Sequence, residues 1–96
     1  MGAFIAKQPN GKYCRFSTIV DCPTHINMTK EDYIKVIMGR GYSETAAKVE
    51  AEEVLEDYLH DYKDLDDYFV PNNMTKKEFL NIKNKMEDPN GKFEVL

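Results

Sequence analysis

Gln8-Pro9-Asn10-Gly11-Lys12-Tyr13-Cys14-Arg15-Phe16-Ser17-Thr18-Ile19-Val20 reads as a tight turn running into a strand, and the rest of the fold is arranged around it. Pro9 presets φ for a turn, and Asn10-Gly11 tolerate the left-handed region that reverses the chain. Phe4-Ile5-Ala6 supplies the other arm, so a hairpin is expected over 3–20. Side chains alternate across a strand. Cys14, Phe16, Thr18 and Val20 therefore share the face expected to be core, with Tyr13, Arg15, Ser17 and Ile19 opposite. Asp21-Cys22-Pro23 is read as the end of that strand.

Downstream, three capped helices are expected. Thr29 caps the first, with Asp32 completing a capping box and Met28 and Tyr33 at the positions of a hydrophobic staple. This predicts a helix over about 30–38, ended by Gly39 or Gly41. Ser43 caps the second, whose apolar series Ala47, Ala51, Val54, Leu55, Tyr58, Leu59 and Tyr62 predicts a helix over about 44–62. A break near Tyr62 or Asp64 and a short helical turn should follow before Pro71. Thr75 and Glu78 form a second capping box, opening a helix over about 76–86 with Phe79, Ile82 and Met86 inward. The terminal strand, 92–95, is expected to join the hairpin. The fold class is thus α+β: one domain over 1–96, a small antiparallel sheet packed on one face against three helices.

Two pairs of segments echo each other. Asn27-Met28-Thr29-Lys30 resembles Asn73-Met74-Thr75-Lys76, and Pro9-Asn10-Gly11-Lys12 resembles Pro89-Asn90-Gly91-Lys92. The offsets differ, so no single repeat period relates them. Reuse of capping and turn chemistry is the simpler account.

Composition bounds the function. With 96 residues, 42% of them apolar, the chain can build one modest core. No apolar run is long enough to span a membrane, and the start, Met1 to Lys7, lacks the apolar run of a secretion signal and the hydroxyl residue of a myristoylation site. Cytoplasmic location is therefore expected, with Cys14 and Cys22 as reduced thiols.

Cys14, Cys22, His25 and His60 are the only Cys and His residues, and Cys22-Pro23-Thr24-His25 has a ligand-like spacing. Yet no pair has the close Cys-x2-Cys knuckle, so neither a metal nor a cofactor is expected. A Cys22–His25 nucleophile pair lacks an orienting third group and a glycine-rich elbow. Asp61 to Asp67 lacks the central Gly and final Glu of a calcium loop. Carboxylates four apart, Glu53–Asp57 and Asp57–Asp61, together with His60–Asp64, would share helical faces, but on the wet side of an amphipathic helix. No enzymatic activity is expected. Met38 to Ala47 resembles the first loop and second-helix start of ubiquitin-associated domains, over ten residues only. The hairpin before it and the long helix after it are foreign to that fold, and no family is assigned.

Charge is the most informative property. The net −4 divides into +3 over 1–40, −8 over 41–70 and +1 over 71–96. Such an anionic middle third repels phosphate backbones and favours cationic surfaces. Glu53, Glu56, Asp57, Asp61, Asp64, Asp66 and Asp67, interleaved with Tyr62 and Tyr68, are the candidate protein interface. Aromatics can anchor such an interface while carboxylates steer the encounter. The expected function is a small regulatory or adaptor protein docking on a basic surface of a protein partner. One alternative is a phage-type inhibitor mimicking nucleic acid. The other is direct nucleic-acid binding through Lys7, Lys12, Arg15, Lys76, Lys77, Lys83 and Lys85, with Tyr13 stacking on a base; it is disfavoured because those cations balance the acidic helix. No membrane partner is expected, and the oligomeric state is left open.

Overall fold

The computed structural model describes residues 2–96. Strands β1 (Ala3–Lys7), β2 (Tyr13–Ser17) and β3 (Cys22–Met28) run antiparallel in sequence order. Helices α1 (Lys30–Met38), α2 (Glu44–Asp57), α3 (Asp64–Tyr68) and α4 (Lys76–Glu87) follow, and β4 (Glu94–Val95) closes the sheet in the order β1-β2-β3-β4. The α+β class is as expected: a four-stranded antiparallel sheet packed against helices. Among the described residues no helix is long and apolar enough to cross a membrane.

The expected strand over 13–20 is a strand, Tyr13–Ser17, followed by a turn. β2 stops at Ser17, whose hydroxyl accepts from the amides of Ile19 and Val20, and Asp21 takes φ 61° to reverse the chain. A further strand, Cys22–Met28, pairs with β2 where the sequence reading ends the strand at Asp21-Cys22-Pro23. Its Pro23 and Asn27 disguise it, since both residues are depleted in strands. Pro23 is tolerated near the strand start, where β4, pairing only at His25 and Ile26, makes no ladder to interrupt. The terminal strand consequently adds to β3, not to the hairpin.

Helices cover both faces of the sheet, where one was expected. Ile5 and Ala6 are neighbours on β1 and so point to opposite faces. Ala6 joins Cys14, Phe16 and Ile26 in a core with Leu65 of α3 and Phe79, Ile82 and Met86 of α4. Ile5 joins Met28, Tyr33 and Ile37 with Ala47 and Ala51 of α2. The inward set Cys14 and Phe16 is as read, while Thr18 and Val20 belong to the turn.

The second helix ends at Asp57, five residues before its apolar series does. Tyr58 leaves helical geometry at φ −126°, ψ 18°, and the chain then crosses the edge of the sheet. The His60 amide donates to Ile5 O at 2.8 Å and its carbonyl accepts from Lys7 N, a parallel bridge beside Ala6. The crossing covers the otherwise bare edge of β1. It also divides one apolar series between two cores: Val54, Leu55 and Leu59 pack on the α1/α2 side, Tyr62 and Leu65 on the other. Three-dimensional necessity mimicked helical spacing. A short helix follows the break, as expected.

Both capping boxes form. The Thr29 and Thr75 hydroxyls accept from the Asp32 and Glu78 amides at 3.1 Å, and each carboxylate accepts the cap amide in return. Ser43 caps α2 in the same way, without the reciprocal bond.

The two Pro-Asn-Gly-Lys turns meet around Asn27, a buried residue with φ 56°. Its Oδ1 accepts from Gln8 Nε2 at 2.8 Å and Asn10 Nδ2 at 2.9 Å, its amide donates to Gln8 Oε1, and its Nδ2 donates to Lys85 O. Asn10 also donates to Asp88 O, and Lys12 Nζ donates to Gly91 O. The glycines do different jobs. Gly11 supplies a positive φ of 86°, whereas a Cβ at Gly91 would stand 2.6 Å from Asn27 Nδ2. Equivalent letters with inequivalent roles argue for reuse of turn chemistry over duplication.

Candidate functional site

The acidic segment starts on α2, crosses the β1 edge and ends on α3, and its carboxylates are not equivalent. On α3, Asp64, Asp66 and Asp67 occupy the first turn, where a helix favours negative charge. Asp64 Oδ2 lies 3.0 Å from His60 Nδ1, and Asp66 accepts from Lys83 Nζ at 2.8 and 3.0 Å. Those residues have local reasons to be acidic. Glu53, Glu56 and Asp57 have none. They lie in the C-terminal half of α2, where the helix dipole opposes negative charge, and the last turn holds no basic residue. All three are exposed, and with Asp61 they make no ion pair among the described residues. Glu44, at the start of α2, is paired with Lys48, and Glu52, next to Glu53, with Lys30.

Because α2 stops at Asp57, the expected Asp57–Asp61 alignment on one helical face does not occur. Asp61 lies on the crossing instead. The His60–Asp64 contact does form, through the turn that opens α3. His60 is fixed from both sides, its ring stacking on Phe4 with centroids 4.2 Å apart.

The aromatic candidates divide in the same way. Tyr62 turns inward to α4, where its hydroxyl donates to Glu87 Oε2 at 2.9 Å. Burial first, and then that bond and the Glu87 charge, push its ionisation above the usual tyrosine range. Tyr68 is half exposed while its ring leans on Phe4 and Phe16. Tyr58, at the end of α2, is the more open, at 63%.

Between α2 and the sheet lies an open cleft of about 800 Å³. Ala3, Phe4, Ile5 and Arg15 form the sheet side; Tyr33 and Arg40 close it from α1 and the loop after it; Glu50, Val54, Asp57, Asp61 and Asp64 stand opposite. The β2–β3 ladder is irregular on both sides of Arg15, an irregularity of the kind that re-aims a side chain. Arg15 Nη1 donates to Thr24 Oγ1 at 2.9 Å, and Thr24 Oγ1 lies 2.9 Å from His25 Nδ1. Arg15 Nε is buried without an acceptor among the described residues. Burial, with Arg40 nearby, lowers the Arg15 ionisation from its usual value. Burial and then the two arginines hold His25 below the ordinary histidine range, so it stays neutral at pH 7. Burial raises Tyr33, with Glu50 adding to the rise and Arg40 opposing it.

In the sequence Arg15 stands only as one cation of a lysine-rich patch, and Arg40 does not stand out at all. Convergence of the two was illegible because it depends on how α1 packs across the sheet. The remaining cations do not gather with Arg15. Lys83 is held by Asp66 and over the Tyr62 and Phe79 rings, Lys85 by Glu94, and Lys12 by the Gly91 carbonyl. Tyr13 packs against the α1/α2 core.

Cys14, Cys22, His25 and His60 do not meet. Cys14 lies in the core, where burial pushes its thiol up to about 12, and His25 stacks towards Phe93 on the far edge from His60. Among the described residues no group of three or more His, Cys, Asp or Glu is placed to hold a metal ion. Compared with known proteins, the chain matches no family model, no curated protein and no solved structure.

Proposed function

We propose that this is a small non-catalytic regulatory or adaptor protein that docks on a basic surface of a protein partner. Its contact surface is Glu53, Glu56, Asp57 and Asp61, extended along the crossing to Asp64, Asp67 and Tyr68. The observation that carries this reading is the uncompensated carboxylate group at the C-terminal end of α2. Acidic residues there oppose the helix dipole by about 0.3–1 kcal/mol each. A fold that tolerates this cost without an internal cation has the cost offset when a cationic partner arrives. Tyr58 and Tyr68 offer aromatic area beside the charges. Nucleic-acid mimicry needs one flat array of charge, whereas α2 and α3 pack on different faces of the sheet, which favours the adaptor reading. A cytoplasmic setting accords with two free, buried thiols.

The test is capture of a partner at low and moderate salt by the protein and by the variant Glu53→Gln/Glu56→Gln/Asp57→Asn. Expected is a basic protein, lost on raising salt and lost with the triple variant, but retained by a Glu44→Gln control. Displacement of nucleic acid from that partner would identify the mimic instead. Equal capture by all three forms would end the proposal.

A further inference from the structure

We propose that the cleft between α2 and the sheet binds a small dipolar ligand, its carboxylate held by Arg15 and Arg40 and its cationic end facing Asp57 and Asp61. Two guanidinium groups line the cleft near enough to act on each other, and neither has a carboxylate within ion-pair distance among the described residues. Arg15 is half-buried, yet its side chain makes one hydrogen bond, to the neutral hydroxyl of Thr24. Its Nε is buried with no acceptor among the described residues, and an unmet buried donor costs about 1–3 kcal/mol. Glu50 lines the same cleft but pairs with neither arginine, so the two like charges still repel and an anion bound between them relieves the repulsion. The planar fork of Arg matches a carboxylate in bidentate fashion.

Opposite charge across β1 selects among anions: Ile5 pairs with Arg15 on one side, and on the other its carbonyl accepts from the His60 amide, next to Asp61. Asp57, Asp61 and Asp64 stand on the same cleft, which penalises a multiply charged ligand such as phosphate and rewards a cationic group carried on the same molecule. The volume, about 800 Å³, is in the range of small-molecule sites, and Ile5 and Val54 contribute apolar wall. The charge of His25 does not enter, because it is neutral at pH 7.

L-Arginine, agmatine (the same cation without the carboxylate), acetate and inorganic phosphate are matched probes. Titrations into the full-length protein are followed by the arginine Nε–Hε and backbone amide resonances. L-Arginine is expected to shift the Arg15 and Arg40 signals saturably in the millimolar range, about tenfold more tightly than acetate, a difference of ~1.4 kcal/mol. Agmatine should leave both signals in place. Arg40→Gln, at an exposed position, is expected to weaken L-arginine about tenfold with an unchanged amide spectrum, and Arg15→Lys to do so through loss of the planar fork. Glu53→Gln/Glu56→Gln, outside the cleft, tests partner docking and should leave this binding unchanged, so the two proposals fail separately. Absence of a saturable shift, tighter binding of phosphate than of L-arginine, equal shifts from agmatine, or indifference to Arg40→Gln would each overturn the inference.

Discussion

Helices α2 and α4 are of similar length and begin with similar hydroxyl caps, but they are held in different ways. α4 inserts Phe79, Ile82 and Met86 into the core, and its last turn carries Lys85, where a cation suits the helix end. α2 buries only Ala47 and Ala51, leaves Val49 exposed, and ends in Glu53, Glu56 and Asp57 with no cation to answer them. The acidic residue in the last turn of α4, Glu87, accepts from Tyr62, whereas Glu56 and Asp57 of α2 have no ion pair among the described residues, and departures without local compensation are where function is expected.

The largest expected effect tests the anchoring half of that contrast. Phe79→Ala removes a ring stacked on Phe69 at 4.0 Å between centroids and should cost about 3–5 kcal/mol in denaturant unfolding. α2 has no large side chain to lose at its buried positions; Ala51→Leu should instead cost about 1–3 kcal/mol by overpacking. If Phe79→Ala proved the milder change, α4 would not be the main anchor.

A smaller effect, of opposite sign, tests the electrostatic half. Glu56→Gln and Asp57→Asn should each stabilise the protein by about 0.3–1 kcal/mol at low salt, the gain shrinking as salt rises. Neutralising Asp66, which is paired with Lys83, should not stabilise. Destabilisation by Glu56→Gln would show that the α2 carboxylates have an internal role and are not reserved for a partner.

The smallest effect concerns the arginine end of the cleft. His25 is held below its ordinary 6.5 in the fold, so the unfolded chain takes up the proton first as pH falls. Stability present above about pH 6.5 should therefore decline on acidification. His25→Gln should flatten that part of a melting-temperature profile, and Arg40→Gln should reduce its slope. An unchanged profile in both variants would break the electrostatic link between His25 and the arginines.

Much of the fold was legible because local rules and tertiary demand agreed. α1 and α4 were readable to within a residue: Thr29–Asp32 and Thr75–Glu78 satisfy helix-end amides locally. β3 was hidden because Pro23 and Asn27 are poor strand residues, retained because β3 has little partner ladder at one and the Asn27 hydrogen-bond node at the other. α2 was read too long because Leu59 and Tyr62 are apolar at helical spacing, although they serve opposite faces of the sheet.

At the site, the acidic middle third was plain from counting charges, since charge is a property of each residue alone. Which carboxylates are compensated was not, because compensation depends on what stands across from them. Lys83 meets Asp66 from seventeen residues away, and among the described residues no cation pairs with Asp57. Sequence alone determined the helix starts, the turn at Asn10-Gly11 and the anionic segment, all of which are settled by residues within a few positions of one another. Only the tertiary structure decided that helices cover both faces of the sheet, that the chain crosses the β1 edge at His60, and that Arg15 and Arg40 share a cleft. Those outcomes depend on packing between segments far apart in the chain, and no short stretch of sequence encodes it.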